Sequence, residues 1–211
     1  MSHATTPPFA RGTTFYNAYA TASIPSSNTG HKHLLGFEYT FENYSPSVDG
    51  NKLRTKIDGS AVKGRIAENA SGITLLPKRG VQTSTTNRNE VTGYSRLESG
   101  KFDGVVDDQL PSAGVRDNDI FWLLTDGPVL CTTDPAGGAN NVITAGDIMV
   151  ALTAAASTHS TTSGRVYSFV ITSNATYAVS ASMNRIGTAL SAKTTAQSDG
   201  DVLVDLSINW N

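Results

Sequence analysis

The chain has 211 residues, of which 38% are hydrophobic and 16% are charged. This supplies one or two small cores and excludes a large multidomain enzyme. The formal net charge is −2 and no basic cluster is longer than the pair Lys78-Arg79, so the sequence argues against a nucleic-acid-binding surface.

Residues 1–33 are predicted to form an extended arm, because prolines and glycines interrupt any regular element there. The arm carries four aromatic side chains that could serve as anchors: Phe9, Phe15, Tyr16 and Tyr19. They could contact another protein or a neighbouring subunit, or they could pack back onto their own domain, and the sequence leaves both possibilities open. The start of the chain lacks the pattern of a secretory leader, and no apolar run reaches the ~20 residues of a membrane span, so we expect cytosolic synthesis and no membrane partner.

Residues 34–126 are predicted to form a β-rich domain, because short apolar or alternating runs are separated by turn residues such as Asp58-Gly59 and Ser99-Gly100. In Phe37–Phe41, three aromatic residues alternate with polar ones, which is typical of a strand with one buried face. The predicted strands are 35–41, 53–57, 61–67, 73–76, 91–97 and 120–124.

Residues 127–211 are predicted to form a second unit, a small β-barrel domain, with strands at 129–132, 148–152, 165–171 and 202–208. Two Gly-Asp pairs, Gly146-Asp147 and Gly200-Asp201, precede apolar strands as turns do. Two Ala/Ser/Thr-rich runs, 153–163 and 188–197, are interpreted as exposed loops or solvent-facing edge segments, and 177–186 is the single helix candidate. The predicted fold class is therefore all-β, with one or two small barrel or sandwich units and an extended N-terminal arm.

The sequence favours a protein that is not an enzyme. The strained Gly-x-Ser-x-Gly turn of many hydrolases does not occur, and His159 lies in a Ser/Thr-rich run where a catalytic base would be held loosely. Cys131, the only cysteine, sits in an apolar run and is interpreted as a small buried hydrophobic residue. A pair of carboxylates for glycoside cleavage stays possible, because the sequence does not give their separation.

No cofactor or metal is expected. His31 and His33 could share one face of a strand, but no third ligand follows from the spacing, so a polar pair ending the arm is favoured. Acidic residues recur at positions 103, 107, 108, 117, 119, 199 and 201, and oxygen-rich loops of this kind sometimes bind calcium. The spacing of an EF-hand is absent, so turn-capping carboxylates are favoured. The glycine-rich stretch 135–139 lacks the Lys-Ser/Thr pair of a phosphate-binding loop.

Several segments of the C-terminal third occur in an order that is similar to small capsid-associated proteins of tailed bacteriophages. They are Gly127–Leu130, Thr144–Val150, Gly164–Val166, Arg185–Leu190 and Asp201–Leu206. In that family a Gly-Asp turn opens a hydrophobic strand of a small barrel, and an Ile-Gly-x-Ala-Leu segment pairs with a Val-x-Val-x-Leu strand to close it. The resemblance covers about residues 127–208, while the stretches 72–79 and 120–128 are similar to longer phage and marine-virus versions.

The resemblance implies a capsid decoration (cement) protein that binds the outer surface of the phage head through the major capsid protein. It implies location in the virion, no catalytic residues, and self-association, for which we predict a homotrimer matching the three-fold positions of a capsid. The arm aromatics Phe9, Phe15, Tyr16 and Tyr19 are the expected capsid or subunit contacts. The alternatives are another virion component, such as a tail, head-fibre or receptor-binding protein, or a carbohydrate-binding or -cleaving module.

Overall fold

The computed structural model describes residues 7–14, 32–42, 61–94, 102–133, 142–151, 164–168, 185–193 and 200–207. The predicted all-β class is confirmed: a 3₁₀ turn at Lys32–Leu34 precedes ten strands, which belong to one mixed sheet. The strands are β1 (Glu38–Glu42), β2 (Ala61–Asn69), β3 (Gly80–Thr83), β4 (Glu90–Tyr94), β5 (Gly104–Val106), β6 (Ile120–Thr132), β7 (Ile148–Ala151), β8 (Val166–Ser168), β9 (Arg185–Ala189) and β10 (Asp201–Ser207).

The strand pairings form two closed circuits that share β6. In the first ring, β2, β4, β3, β5 and β6 follow one another, and the pairing of β6 with β2 closes the circuit. In the second ring, β6 is followed by β10, β9, β7 and β8, and a parallel bridge between Thr133 and Val166 brings β8 back to the end of β6. β1 pairs with β2 on the outside of the first ring.

Residues of β6 alternate between two hydrophobic clusters, as the period of a strand requires. Phe121 and Leu123 belong to a smaller cluster made of residues from the first ring and its loops. Ile120, Trp122 and Leu124 belong to a larger cluster that also contains Val129, Cys131 and the buried side chains of β7 to β10. One long strand therefore supplies apolar side chains to both cores.

Gly127 lies where β6 changes its strand partners. Residues 120–126 pair with β2, with a register shift between Lys63 and Gly64, and residues 126–132 pair with β10. Gly127 has φ +87°, and a Cβ atom there would lie 1.9 Å from the carbonyl oxygen of Ala61. Only glycine fits this combination of a left-handed backbone and a close approach.

Several predicted elements differ from the observed ones. The predicted boundary between residues 126 and 127 falls inside β6, so it does not coincide with a break in the sheet. The stretch 73–76 is a turn region in which Leu75 makes a single bridge to Val115. The short strands β3 and β5, which begin at Gly80 and Gly104, were not predicted.

The proposed helix 177–186 and the proposed loop 188–197 also need correction at β9. Arg185 and Ile186 begin this strand, and Thr188 and Ala189 end it, because they pair with β7 and β10. Tertiary pairing thus overrides the weak local preference of these residues. The predicted strand 53–57 and the loop 153–163 lie outside the described residues.

Candidate functional site

Aromatic, ionic and hydrogen-bond contacts hold an N-terminal segment against the rest of the described structure. We call residues 7–14 the N-terminal strap, and Phe41, Asp107, Asp108 and Trp122 the strap seat. Phe9 is buried at 7% exposure, with its ring centroid 5.2 Å from that of Trp122. The indole Nε1 of Trp122 donates a hydrogen bond of 3.1 Å to the Phe9 carbonyl oxygen, so the strap is recognised through both its side chain and its backbone.

Trp122 is the centre of an aromatic cluster built from three parts of the chain. The Phe41 ring meets it edge-on at 5.0 Å, and Phe37 approaches at 6.4 Å. Both phenylalanines belong to the β1 region, in which the sequence predicted aromatic residues on one face. Such edge-to-face pairs each contribute about 0.5–1.5 kcal/mol beyond the area they bury.

Arg11 joins the strap to two adjacent carboxylates. Its Nε lies 3.1 Å from Asp107 Oδ1, and its terminal nitrogen Nη2 forms an ion pair with Asp108. The side chains of Arg11, Asp107 and Asp108 are only 5%, 0% and 1% exposed. The guanidinium carbon also lies 5.7 Å from the centroid of the Phe41 ring, within range of a cation–π contact.

Backbone amides complete the binding of the two carboxylates. Asp107 accepts from Gly12 N at 2.6 Å and from Gln109 N at 3.3 Å, while Asp108 accepts from Leu130 N at 3.0 Å. Two buried carboxylates share one guanidinium, and the amide donors stabilise the remaining negative charge. The arrangement is a structural clasp between the strap, the loop after β5 and the second half of β6.

The structure describes only one of the four aromatic residues that were predicted as anchors of the arm. Phe9 packs on the chain's own Trp122, which is the second of the two possibilities left open by the sequence. Phe15, Tyr16 and Tyr19 lie outside the described residues, so their role stays a prediction. Arg11 was not singled out from the sequence, although it is the only charged residue among residues 4–30, and that isolation was the available signal.

The residues considered for chemistry have structural roles where the structure describes them. Asp103 accepts from the amide and hydroxyl of Thr83, and Asp117 accepts from Gly72 N. His33 is exposed on the 3₁₀ turn, whereas His31 and His159 lie outside the described ranges. Among the described residues, no group of three or more His, Cys, Asp or Glu side chains could hold a metal ion.

Cys131 is fully buried in the larger cluster, as expected for a small hydrophobic side chain. Burial raises the pKa of its thiol well above the ordinary value, and the negative charges of Asp108 and Asp201 act in the same direction. The thiol is therefore kept neutral, which is the opposite of what a nucleophilic cysteine needs.

A shallow groove of about 270 Å³ lies between the two rings. Lys78, which has φ +63°, forms an ion pair with Asp201 on its wall, and the Thr132 hydroxyl donates to Asp201 at 3.1 Å. Both charged groups already satisfy each other and remain partly exposed. The charges of Lys78 and Asp201 on the wall of this groove therefore neutralise each other.

Three large hydrophobic side chains are exposed in the described part of the chain: Val142, Ile148 and Leu190. Ile148 pairs with Thr188 across β7 and β9. Leu190 directly follows the last residue of β9, Ala189, and is exposed like Ile148. We call Ile148 and Leu190 the outer apolar pair.

The comparisons with known proteins add no relative to this picture. No family model, no curated protein and no solved structure matches the chain. In the ranges that the structure describes, no helix is long and apolar enough to cross a bilayer.

Proposed function

We propose that this chain is a virion structural protein, a decoration protein that binds the outer surface of a tailed-bacteriophage head. It would stabilise the head through many modest contacts with the major capsid protein. The role needs no cofactor and no turnover chemistry, and the protein would act as a multivalent, self-associated unit, for which we propose a homotrimer.

The observation that carries this proposal is the pairing of the segments that resemble the phage family. The Ile-Gly-x-Ala-Leu segment supplies β9 and the Val-x-Val-x-Leu segment supplies β10, and the two strands pair antiparallel with Val204 opposite Ala189. The Gly146-Asp147 turn leads directly into β7, which pairs with the other edge of β9. The segments that resemble the family thus lie on strands that are neighbours in the sheet, in the spatial order β6, β10, β9, β7 and β8.

The outer apolar pair supplies a surface for capsid contact. Ile148 and Leu190 are 39% and 48% exposed. Ile148 lies on β7 and Leu190 directly follows β9, in the part that resembles the phage proteins. A few exposed apolar side chains are compatible with solubility before assembly, and burying them against the repeated subunits of a shell would contribute many small increments of binding free energy. Phe15, Tyr16 and Tyr19 are proposed as further contacts to the capsid or to a neighbouring subunit.

The proposal is tested by co-sedimentation: phage heads that lack the protein are mixed with purified full-length chain and then sedimented. We expect wild-type chain to co-sediment with the heads, and Ile148→Glu/Leu190→Glu to bind at least ten-fold more weakly, because charged side chains replace the apolar contact. Thr40→Glu, which adds a charge at an exposed position of β1, is the control and should bind as the wild type does.

Absence of wild-type binding to heads, together with binding to tails, would contradict the proposal in favour of another virion component. Specific binding or cleavage of a polysaccharide by the purified chain would favour a carbohydrate-active module instead. Circular dichroism of each variant shows whether a loss of binding comes from the contact or from unfolding.

A further inference from the structure

The strap seat has the parts of a peptide-recognition site. Trp122 offers an aromatic face and an indole N–H that binds a backbone carbonyl, and Asp107 and Asp108 offer carboxylates to one guanidinium. The Asp107 carboxylate also binds the amide that follows the arginine. A Phe-x-Arg-Gly sequence in an irregular backbone satisfies all these groups together, and residues 9–12 of the strap are such a sequence.

The strap docks as a separate module. In the part of the chain that the structure describes, no strand pairs with residues 7–14. The contacts that hold it, namely the Phe9–Trp122 packing and the bonds of Arg11 and Gly12 to carboxylates, all involve a side chain of the seat. The strap can therefore leave the seat without breaking a sheet, and its binding is governed by local chemistry.

We propose that the strap seat accepts residues 7–14 of a second copy of this chain, so that neighbouring copies are joined by exchanged straps. The contacts made in such an exchange are the same as those made within one chain, which makes swapping a low-cost route to association. We choose a second copy of this chain as the partner because residues 9–12 are the segment that binds Trp122, Asp107 and Asp108 in the structure.

The length of the connecting segment permits this exchange. Residues 15–31 join the strap to the 3₁₀ turn at Lys32–Leu34, and at about 3.5 Å per residue they reach at most about 60 Å. A compact chain of this size has a radius of gyration of about 17 Å. A strap can thus reach the seat of an adjacent copy, although in dilute solution its own seat competes at an effective concentration in the millimolar range.

The exchange is tested with two full-length variants that disable one side of the contact each. The acceptor, Phe9→Ala/Arg11→Ala, keeps an intact seat and loses its strap contacts. The donor, Asp107→Asn/Asp108→Asn, keeps its strap and loses the carboxylates of its seat. Mixing them should give mixed assemblies by native mass spectrometry at a concentration at least ten-fold lower than mixing the acceptor with a chain that carries all four substitutions.

A peptide titration gives a second measurement that does not depend on the donor folding. A synthetic peptide of residues 7–14 should change the tryptophan fluorescence of the acceptor saturably, and the same peptide with alanine in place of arginine should bind at least ten-fold more weakly. An Arg11→Lys chain, which keeps the charge but loses the planar fork, serves as acceptor if the double variant unfolds.

The two measurements have outcomes that overturn the proposal. Equal mixing with donor and with the four-substitution chain would show that straps are not exchanged. Absence of saturable binding by the peptide to a folded acceptor would show that the seat does not recognise the segment in trans. Neither result depends on capsids, so the exchange and the proposed decoration role succeed or fail separately.

Discussion

At the scale of single residues, Arg11 decides how the N-terminus is held. A lone arginine in an otherwise uncharged stretch is buried with two carboxylates, and the ion pairs replace the hydration that all three groups lose. Removing one member of a buried ion pair destabilises the fold by more than the intact pair stabilises it, because the remaining charge is buried without a partner. The contact therefore depends on every one of its members.

We expect Arg11→Ala to lower the free energy of unfolding by about 3–5 kcal/mol, because Asp107 and Asp108 would stay buried without their cation. Urea denaturation followed by tryptophan fluorescence measures this change. Lys63→Ala is the matched control: its ion pair with Glu38 is 41% and 51% exposed, and its loss should cost less than about 1 kcal/mol. Equal effects of the two substitutions would contradict the role assigned to the buried clasp.

Buried acidic groups predict a loss of stability at high pH. Burial raises the pKa of the Cys131 thiol well above its ordinary value of 9.0 and that of the Tyr94 hydroxyl above 10.0. Each group binds its proton more tightly in the folded chain than in the unfolded one. Stability should thus be retained below about pH 9 and should decline as pH rises through and beyond the unfolded-state values.

The measurement is urea denaturation at pH of about 7.5 and about 10.5. Cys131→Ala is expected to be less stable at neutral pH because it leaves a small cavity, but its stability should decline less between the two pH values. If the variant loses as much stability as the wild type over this interval, the thiol does not contribute to the alkaline decline.

At the scale of elements, β6 is the strand on which the fold depends. It pairs with β2 and β5 in its first half and with β10 in its second half, and its side chains enter both hydrophobic clusters. The change of partner is possible because Gly127 permits a left-handed backbone against the carbonyl of Ala61.

Gly127→Ala should therefore destabilise the protein by more than about 3 kcal/mol, because strain of 1–2 kcal/mol from the backbone is added to a severe steric clash. Gly72→Ala is the control: Gly72 also has a positive φ, of +74°, but a Cβ atom there meets nothing within 4 Å. Thermal unfolding of the two variants measures the difference. Similar melting temperatures would contradict the close approach at the centre of β6.

The all-β class and several strands could be predicted because their cause is local. β2, β7 and β10 each follow turn residues, and their apolar side chains either alternate with polar ones or form a continuous run. The local sequence therefore predicts each of these strands. β3, β5 and β9 contain glycine or polar residues, and their strand conformation comes from neighbours distant in sequence. The strap seat escaped prediction for the same reason, since Arg11 and Asp107 meet only after about 96 residues of intervening chain are folded.

At the scale of the whole molecule, two rings of paired strands share β6, and the strap adds Phe9 to the larger hydrophobic cluster. Among the described residues, the buried carboxylates of Asp107 and Asp108 hold the strap against the loop after β5 and against β6.

We propose that the chain coats a viral shell, and electron cryomicroscopy of purified particles, with and without this protein, tests this proposal most directly. The proposal predicts additional density of this chain's size at repeated positions on the outer face of the head, absent from particles made without the protein. Density confined to the tail, or identical heads in the two preparations, would contradict it.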